Sequence, residues 1–182
     1  LGFESATVED GSVRLRLDEA PFRYLIEEAE AEGFICAGWE YPAVDYDALL
    51  AALAENGVDL NEGNVDACAA RAVAAFTSFS DPSGNTVEVF HTRDKGSAFS
   101  SPLNLNYVAD NLGLGHVVLP AMEHALTCEF YENVLGFGLS DELKLPPPME
   151  GVPEMQINFY HADNPRHHSV ACFNGPAPSG VI

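Results

Sequence analysis

The feature that most constrains the fold of this chain is a short internal repeat. The tripeptide Leu-Gly-Phe stands at 135–137, directly after a segment with helical periodicity, and it also opens the chain at 1–3. Strand-like segments follow it in both places. Such self-similarity indicates that one supersecondary unit is built more than once. If the two tripeptides are equivalent, the chain starts partway through a unit whose opening strand and helix are absent.

Hydrophobic periodicity predicts the same succession of elements in both halves of the chain. Two short strands are expected within 13–27, broken at 18–21. One complete unit, at about 35–91, then comprises a strand at 36–42, a helix at 44–56, and strands at 72–80 and 86–91. Most of a second unit follows at 112–173, with a strand at 114–119, a helix at 121–134, and strands at 137–145, 155–162 and 168–173. Asp45 is the expected N-cap of the first helix and Gly57 its stop. Strands and helices are segregated, which predicts an α+β fold.

The charge balance restricts the partners that the chain can bind. Eight Lys and Arg stand against 28 Asp and Glu, giving a formal net charge of −20. A field of that sign repels phosphate backbones and anionic lipid, so we expect neither nucleic acid nor membrane partners. The four cysteines lack CxxC spacing, and no apolar run has the length of a membrane span. Both observations favour a reducing, cytoplasmic location.

Histidines are the residues most indicative of chemistry. His116 lies in the apolar segment LGHVVL, where it is either a packed core residue or a ligand. His167 and His168 are adjacent at the start of a predicted strand, so their side chains point to opposite faces. One of them can therefore face a cavity and act as a general acid or base. The alternative is a polar turn that leads into the strand.

Other candidate residues carry weaker signals. Glu88 stands between apolar strand residues, where its carboxylate could ligate a metal or could lie in solvent at a sheet edge. His124 is expected on the surface of the second helix, and His91 and His161 lie at strand ends without a separate indication. The sequence contains no GxSxG, glycine-rich phosphate loop or HExxH motif.

Taken together, the segments LGHVVL, FYENVLGFGLSDE, LPPPM and INFYHADNPRHHSVA resemble the type I extradiol catechol dioxygenases of the vicinal oxygen chelate superfamily. The closest resemblance is to the biphenyl-2,3-diol and steroid-catechol 1,2-dioxygenase group. It implies the vicinal oxygen chelate (glyoxalase/bleomycin-resistance-like) fold of repeated β-α-β-β-β modules, truncated at both ends. A non-catalytic N-terminal domain with an incomplete first module is expected at 1–98 and a linker at 99–111. The first module of a catalytic domain is expected at 112–182, with the second module missing.

The resemblance also implies roles for particular residues. His116 corresponds to the first ligand of a 2-His-1-carboxylate Fe(II) site, and His168 to the acid–base histidine. The second histidine ligand is expected directly after Ile182, and the glutamate ligand further on. Glu88 is expected to be a relic of a metal site. The residues expected to line the pocket for substrate and O2 are Val118, Phe159, Tyr160 and His167.

The function implied by the resemblance is extradiol (meta) cleavage of a bulky catechol with O2, in the degradation of aromatic compounds or steroids. Fe(II) is the expected metal, with Mn(II) as in some relatives, and the intact enzyme is expected to be a homo-oligomer. These 182 residues alone are expected to be inactive. The alternatives are a glyoxalase- or epimerase-type enzyme and a non-enzymatic small-molecule-binding protein of the same superfamily. The combination of LGHVVL with NPRHHS argues against both.

Overall fold

The computed structural model describes residues 1–8, 11–147 and 154–175, whose strands form three sheets. The first sheet has the order β1-β2-β3, the second β4-β7-β6-β5 and the third β8-β11-β10-β9. The strands are β1 Glu4–Thr7, β2 Val13–Arg16, β3 Tyr24–Ile26, β4 Ala37–Glu40, β5 Asn61–Glu62, β6 Val73–Ser80, β7 Thr86–Arg93, β8 Val117–Pro120, β9 Gly138–Leu145, β10 Met155–His161 and β11 Val170–Phe173. The α-helices are α1 Ala43–Glu55, α2 Val65–Arg71 and α3 His124–Asn133.

The second and third sheets have the same topology, which confirms the internal repeat. In each, the first strand of the unit pairs in parallel with the last, and the remaining pairs are antiparallel. Gly57 and Gly136 follow α1 and α3 with φ angles of 75° and 74°, and Gly2 has a φ of 80°. The two Leu-Gly-Phe tripeptides therefore share a left-handed glycine that leads the chain into a strand.

Three local predictions differ from the structure. Helix α1 begins at Ala43 with Pro42 at the N-cap position, so Asp45 lies in the first turn and the predicted cap is wrong. Strand β5 and helix α2 were not predicted, although Asn64 caps α2 by accepting a hydrogen bond from the N–H of Ala67 at 2.9 Å. His116 immediately precedes β8, whereas the sequence placed it in the middle of the strand. Because it lies outside the strand, His116 is exposed.

One hydrophobic core joins the second and third sheets with their helices. Phe79 of β6 and Phe130 of α3 meet edge to face at 6.0 Å, and Trp39 meets Phe137 in the same way at 5.1 Å. The hydroxyl of Tyr41 donates a hydrogen bond of 2.7 Å to the carbonyl of Leu135. Aromatic pairs of this kind contribute beyond their buried area. The two units therefore share a packed interface.

The polar turn at 81–85 fixes this interface at one end. Asp81 accepts hydrogen bonds from the backbone N–H groups of Ser83 and Asn85, which shapes the turn as its Asp-Pro and Gly composition predicts. The amide of Asn85 then donates to the carbonyl of Pro120 at 2.8 Å. Ser83 Oγ accepts from the N–H of Glu123 at 3.0 Å. The start of α3 is thereby held against the preceding unit.

The segment at 94–109 contains neither helix nor strand and runs along the first sheet. Arg16 donates to the carbonyl of Ser97 at 2.8 Å, and Ser101 donates to the carbonyl of Gly2 at 2.8 Å. This segment, which overlaps the linker predicted at 99–111, therefore contacts the first sheet and the residues that precede it. Within the described residues, no helix has the length and apolarity required to cross a membrane.

Candidate functional site

The third sheet has two chemically different faces, and α3 covers one of them. Strand residues alternate between faces, so the residues paired across neighbouring strands form rows. One row contains Leu119 and Cys172, which are fully buried beneath α3. The next row contains Val118, Ala171 and Phe159 and lies on the opposite face. Ala171 is fully buried, but Val118 and Phe159 remain partly exposed, so this apolar face is open to a ligand at those two side chains.

Three histidine rings gather at the edge of this open face. The ring of His116 lies 4.5 Å from that of His168, measured between centroids. The ring of Phe159 meets His168 edge to face at 4.9 Å. His167 and His168 approach each other with their Nδ1 atoms 3.0 Å apart, so one of these nitrogens carries a proton toward the other. The sheet thus brings residues more than 50 positions apart into one cluster.

The surroundings of His168 favour its neutral form. Burial lowers the pKa of His168 below its ordinary value, and the neighbouring His116 and His167 lower it further because a second positive charge would be repelled. A neutral imidazole presents one nitrogen that can accept a proton. The cluster can therefore bind a metal through nitrogen or take up a proton.

A metal of the 2-His-1-carboxylate type fits this cluster only in part. His116 and His168 are exposed and half-exposed at the open face, and imidazole nitrogen is a ligand that Fe(II) accepts. Within residues 1–8, 11–147 and 154–175, however, no three His, Cys, Asp or Glu side chains are arranged to hold a metal ion. The described part of the chain thus offers nitrogen ligands without a carboxylate beside them.

The loop that carries the histidine pair is anchored by Arg166. Its guanidinium donates hydrogen bonds to the carbonyls of Leu112 at 2.8 Å and Val108 at 2.5 Å. Asn164 Oδ1 accepts from the N–H of Arg166 at 2.9 Å, which closes a turn of the kind that Asn favours. The NPRHHS sequence is therefore a folded loop in which Asn and Arg support the two histidines.

Sequence reasoning overlooked two further polar residues near the cluster. Ser140 of β9 contacts both the Nδ1 atom of His161 and the carbonyl oxygen of His167. His161 was considered uninformative because it lies at a strand end. The contact depends on an irregularity in the pairing of β9 with β10. No spacing in the sequence could have revealed it.

The structure places the other expected site residues away from the cluster. Tyr160 is fully buried on the helix-covered face and donates a hydrogen bond to Glu132, so of these two aromatic residues it is Phe159 that lies on the open face. Glu88 accepts two hydrogen bonds from Arg71, at 2.6 and 2.8 Å, and its carboxylate is thereby neutralised. His124 is half-buried beside Cys128, not on the surface as expected. Burial also lowers the pKa of His124.

Comparison with known proteins identifies the family. Residues 113–180 match the Glyoxalase/Bleomycin resistance protein/Dioxygenase superfamily. This part of the chain belongs to the superfamily. It is 36% identical over 178 residues to an iron-dependent extradiol dioxygenase of Rhodococcus jostii, covering 92% of the chain and 58% of that protein. It is 31% identical over 166 residues to a 2,2',3-trihydroxybiphenyl dioxygenase of Sphingomonas paucimobilis, covering 90% and 54%.

A solved structure agrees with the sequence relatives. The crystal structure of a catechol 2,3-dioxygenase superposes on 99% of this chain with a TM-score of 0.87 and 25% identity, and the match covers 64% of that protein. The fold is therefore that of the extradiol dioxygenase group, as expected from the sequence. The chain spans less than two thirds of the length of each of these relatives.

Proposed function

We propose that the protein containing this chain cleaves the ring of a catechol by the extradiol route, using O2 and Fe(II). The observation that carries the proposal is the pair of rings at 4.5 Å, His116 and His168, beside the open apolar face of the third sheet. The chain's relatives include one protein named as an iron-dependent extradiol dioxygenase and another named as a 2,2',3-trihydroxybiphenyl dioxygenase. Their catechol substrates and their metal are what we transfer to this chain.

Each residue of the cluster has a definite task in this proposal. His116 contributes one nitrogen ligand to Fe(II), and the remaining ligands come from residues outside the described cluster. Fe(II), when bound, supplies Lewis acidity toward the catechol oxygens and the redox capacity for reaction with O2. His168 takes up a proton from a catechol hydroxyl and later returns it. Phe159 and Val118 exclude water from the aromatic ring of the substrate.

An aromatic, uncharged substrate suits the open face. The partly exposed side chains of Val118 and Phe159 present carbon atoms to an aromatic ring that lies against this face. Burial of apolar surface contributes about 25 cal/mol per Å² of area, so a second ring on the catechol would bind more tightly than catechol alone. We therefore propose a bulky catechol, and the exposed His167 lies at the rim where the second ring would enter.

The test uses the protein as its gene encodes it, loaded with Fe(II) without O2 and then given 2,3-dihydroxybiphenyl in air. The expected product is the yellow 2-hydroxy-6-oxo-dienoate. His116→Ala should lose iron. His168→Ala should keep its iron while kcat falls by about 10²- to 10⁴-fold, as for loss of a general acid–base group.

His91→Ala is the matched control, because His91 lies in β7 of the second sheet and packs against Tyr46. It should leave iron content and kcat unchanged. An iron-loaded wild-type protein that forms no yellow product in air would reject the proposed function. Retention of iron by His116→Ala would reject the assignment of that ligand.

A further inference from the structure

The pairing of β9 with β10 contains one unpaired residue, Ser140. Asp141 pairs with Phe159 and Leu139 pairs with Tyr160, so Ser140 has no partner across the ladder. Such a β-bulge breaks the alternation of side chains and re-aims one of them. The bulge lies directly beside Phe159, which contacts His168.

The hydroxyl of Ser140 makes two hydrogen bonds whose directions are fixed by chemistry. Ser140 Oγ lies 2.5 Å from the carbonyl oxygen of His167, which can only accept, so the hydroxyl proton is donated there. Ser140 Oγ also lies 2.7 Å from Nδ1 of His161. With its single proton already used, the hydroxyl must accept from His161. His161 therefore carries a proton on Nδ1.

The ring of His161 occupies space that only glycine leaves free. A Cβ atom on Gly138 would lie 2.4 Å from both Cε1 and Nε2 of His161, far inside van der Waals contact. Gly138 pairs with His161 across the ladder, so the two positions face each other directly. The imidazole is thus seated over Gly138 and directed at Ser140.

Both peptide groups that flank His168 are anchored to strands. The carbonyl of His167, on one side, accepts from Ser140 at 2.5 Å. The N–H of Ser169, on the other, donates to the carbonyl of Tyr160 at 2.7 Å. Fixing both peptide planes fixes the direction of the Cα–Cβ bond between them. The ring of His168 then has few orientations in which it can meet His116 and Phe159.

We propose that Ser140 and His161 are positioning residues that orient His168. They act through the peptide bond between His167 and His168, and they touch neither metal nor substrate. This inference rests on the proposed function for its catalytic consequence. It predicts a Ser–His pair whose loss disorders the acid–base group without removing the metal ligand His116.

The structural test is nuclear magnetic resonance of the histidine rings in the full-length, metal-free protein. Long-range proton–nitrogen spectra should show His161 as the Nδ1–H tautomer. Ser140→Ala should change the ring signals of both His161 and His168. Ser80→Ala, which removes an exposed hydroxyl from β6, is the matched control and should change neither. This readout needs no enzymatic activity, so it remains decisive if the proposed function fails.

The kinetic test uses the iron-loaded protein and 2,3-dihydroxybiphenyl. Ser140→Ala should lower kcat by about tenfold or more at unchanged iron content and KM, since small displacements of a catalytic group cost up to about a hundredfold. Ser140→Thr keeps the hydroxyl and should restore most of kcat. His161→Asn places an amide N–H near the position of Nδ1 and should be more active than His161→Phe. Gly138→Ala should resemble His161→Phe because it displaces the ring.

Two results would overturn the inference. One is a kcat of Ser140→Ala within twofold of Ser80→Ala, with unchanged His168 signals. The other is a joint loss of iron and activity, which would indicate a general structural role. If Ser140→Ala does not fold, the comparison of His161→Asn with His161→Phe decides, and equal kcat values would reject the positioning role. A wild-type protein that forms no product rejects only the proposed function.

Discussion

Two neighbouring aromatic residues of β10 belong to different parts of the molecule. Phe159 is half-exposed on the open face and contacts His168, whereas Tyr160 is fully buried against α3 and donates a hydrogen bond to Glu132. Because adjacent strand residues point to opposite faces of the sheet, only one of the two can face the site. The position of α3 decides which residue is buried. The helix packs over the face that contains Cys172 and Leu119, and Tyr160 lies on that face.

Truncation of these two side chains should separate their roles. Tyr160→Ala should lower the free energy of unfolding by about 3–5 kcal/mol, as for other buried aromatic residues. Phe159→Ala should cost less, about 1–2 kcal/mol, because part of its ring is already exposed to water. Tyr160→Phe, which removes only the hydroxyl that donates to Glu132, should cost about 1 kcal/mol. Urea unfolding measures all three, and equal losses for Phe159→Ala and Tyr160→Ala would contradict the assignment of faces.

Residue chemistry predicted part of the site, and three-dimensional contacts supplied the rest. His116 and His168 were singled out from the sequence, and the structure brings their rings together. The sequence does not decide whether Phe159 or Tyr160 faces them, since a pattern gives the alternation of side chains but not which of the two faces the site. Ser140 was missed because a β-bulge arises from the pairing of two strands and has no signature in either one.

At the scale of elements, periodicity located most strands and helices and failed where an element is short. The predicted strands at 72–80 and 155–162 correspond to β6 at Val73–Ser80 and β10 at Met155–His161. Strand β5 has two residues and α2 has seven, so neither spans enough positions for a period to be recognised. Tertiary contacts hold such short elements in place. In α2, for example, the carbonyl of Ala70 accepts a hydrogen bond from the guanidinium of Arg14.

The glycines that end α1 and α3 should be more sensitive to substitution than Gly33, whose surroundings are equally open. Gly57 and Gly136 have positive φ angles, and an added Cβ at either would meet no atom within 4 Å. The cost of Gly57→Ala and Gly136→Ala is therefore conformational, about 1 kcal/mol each. Gly33→Ala is the matched control, since its Cβ also meets nothing and its φ is not positive. Thermal unfolding should show lower Tm values for the first two substitutions only, and a similar drop for Gly33→Ala would refute the explanation.

At the scale of the whole molecule, the segment between β7 and β8 connects the first sheet to the histidine cluster. Arg23 and Asp18 lie between β2 and β3 of the first sheet. Arg23 donates a hydrogen bond to the carbonyl of Asp110 at 2.8 Å, and Asp18 accepts one from the N–H of Asp110 at 3.0 Å. A few residues away, Arg166 binds the carbonyls of Val108 and Leu112. The loop that carries His168 is thus held by a segment that is itself held by the Asp18–Arg23 ion pair.

The Asp18–Arg23 pair should make stability depend on acid pH. Burial alone would raise the pKa of Asp18, but the hydrogen bonds and charge of Arg23 and the N–H groups of Ala20 and Asp110 lower it below the ordinary value. A carboxyl whose pKa is lower in the folded than in the unfolded state stabilises the fold above its unfolded pKa of about 3.9. That contribution is lost as pH falls through the folded pKa. The free energy of unfolding should therefore decrease as pH is lowered from about 5 toward 3.

Asp18→Asn isolates this contribution. Both partners are buried, with side-chain exposures of 4% for Asp18 and 9% for Arg23, so removing the carboxylate leaves a buried guanidinium without its counter-charge. Such a change costs about 3 kcal/mol at neutral pH. The variant should also show a flatter dependence of unfolding free energy on pH below 5, whereas Glu19→Gln, at an exposed neighbouring carboxylate, should follow the wild type. Urea unfolding at a series of pH values measures both effects. An unchanged slope in Asp18→Asn would show that other carboxylates govern acid stability, and the connection from the first sheet to the histidine loop would then lack its proposed anchor.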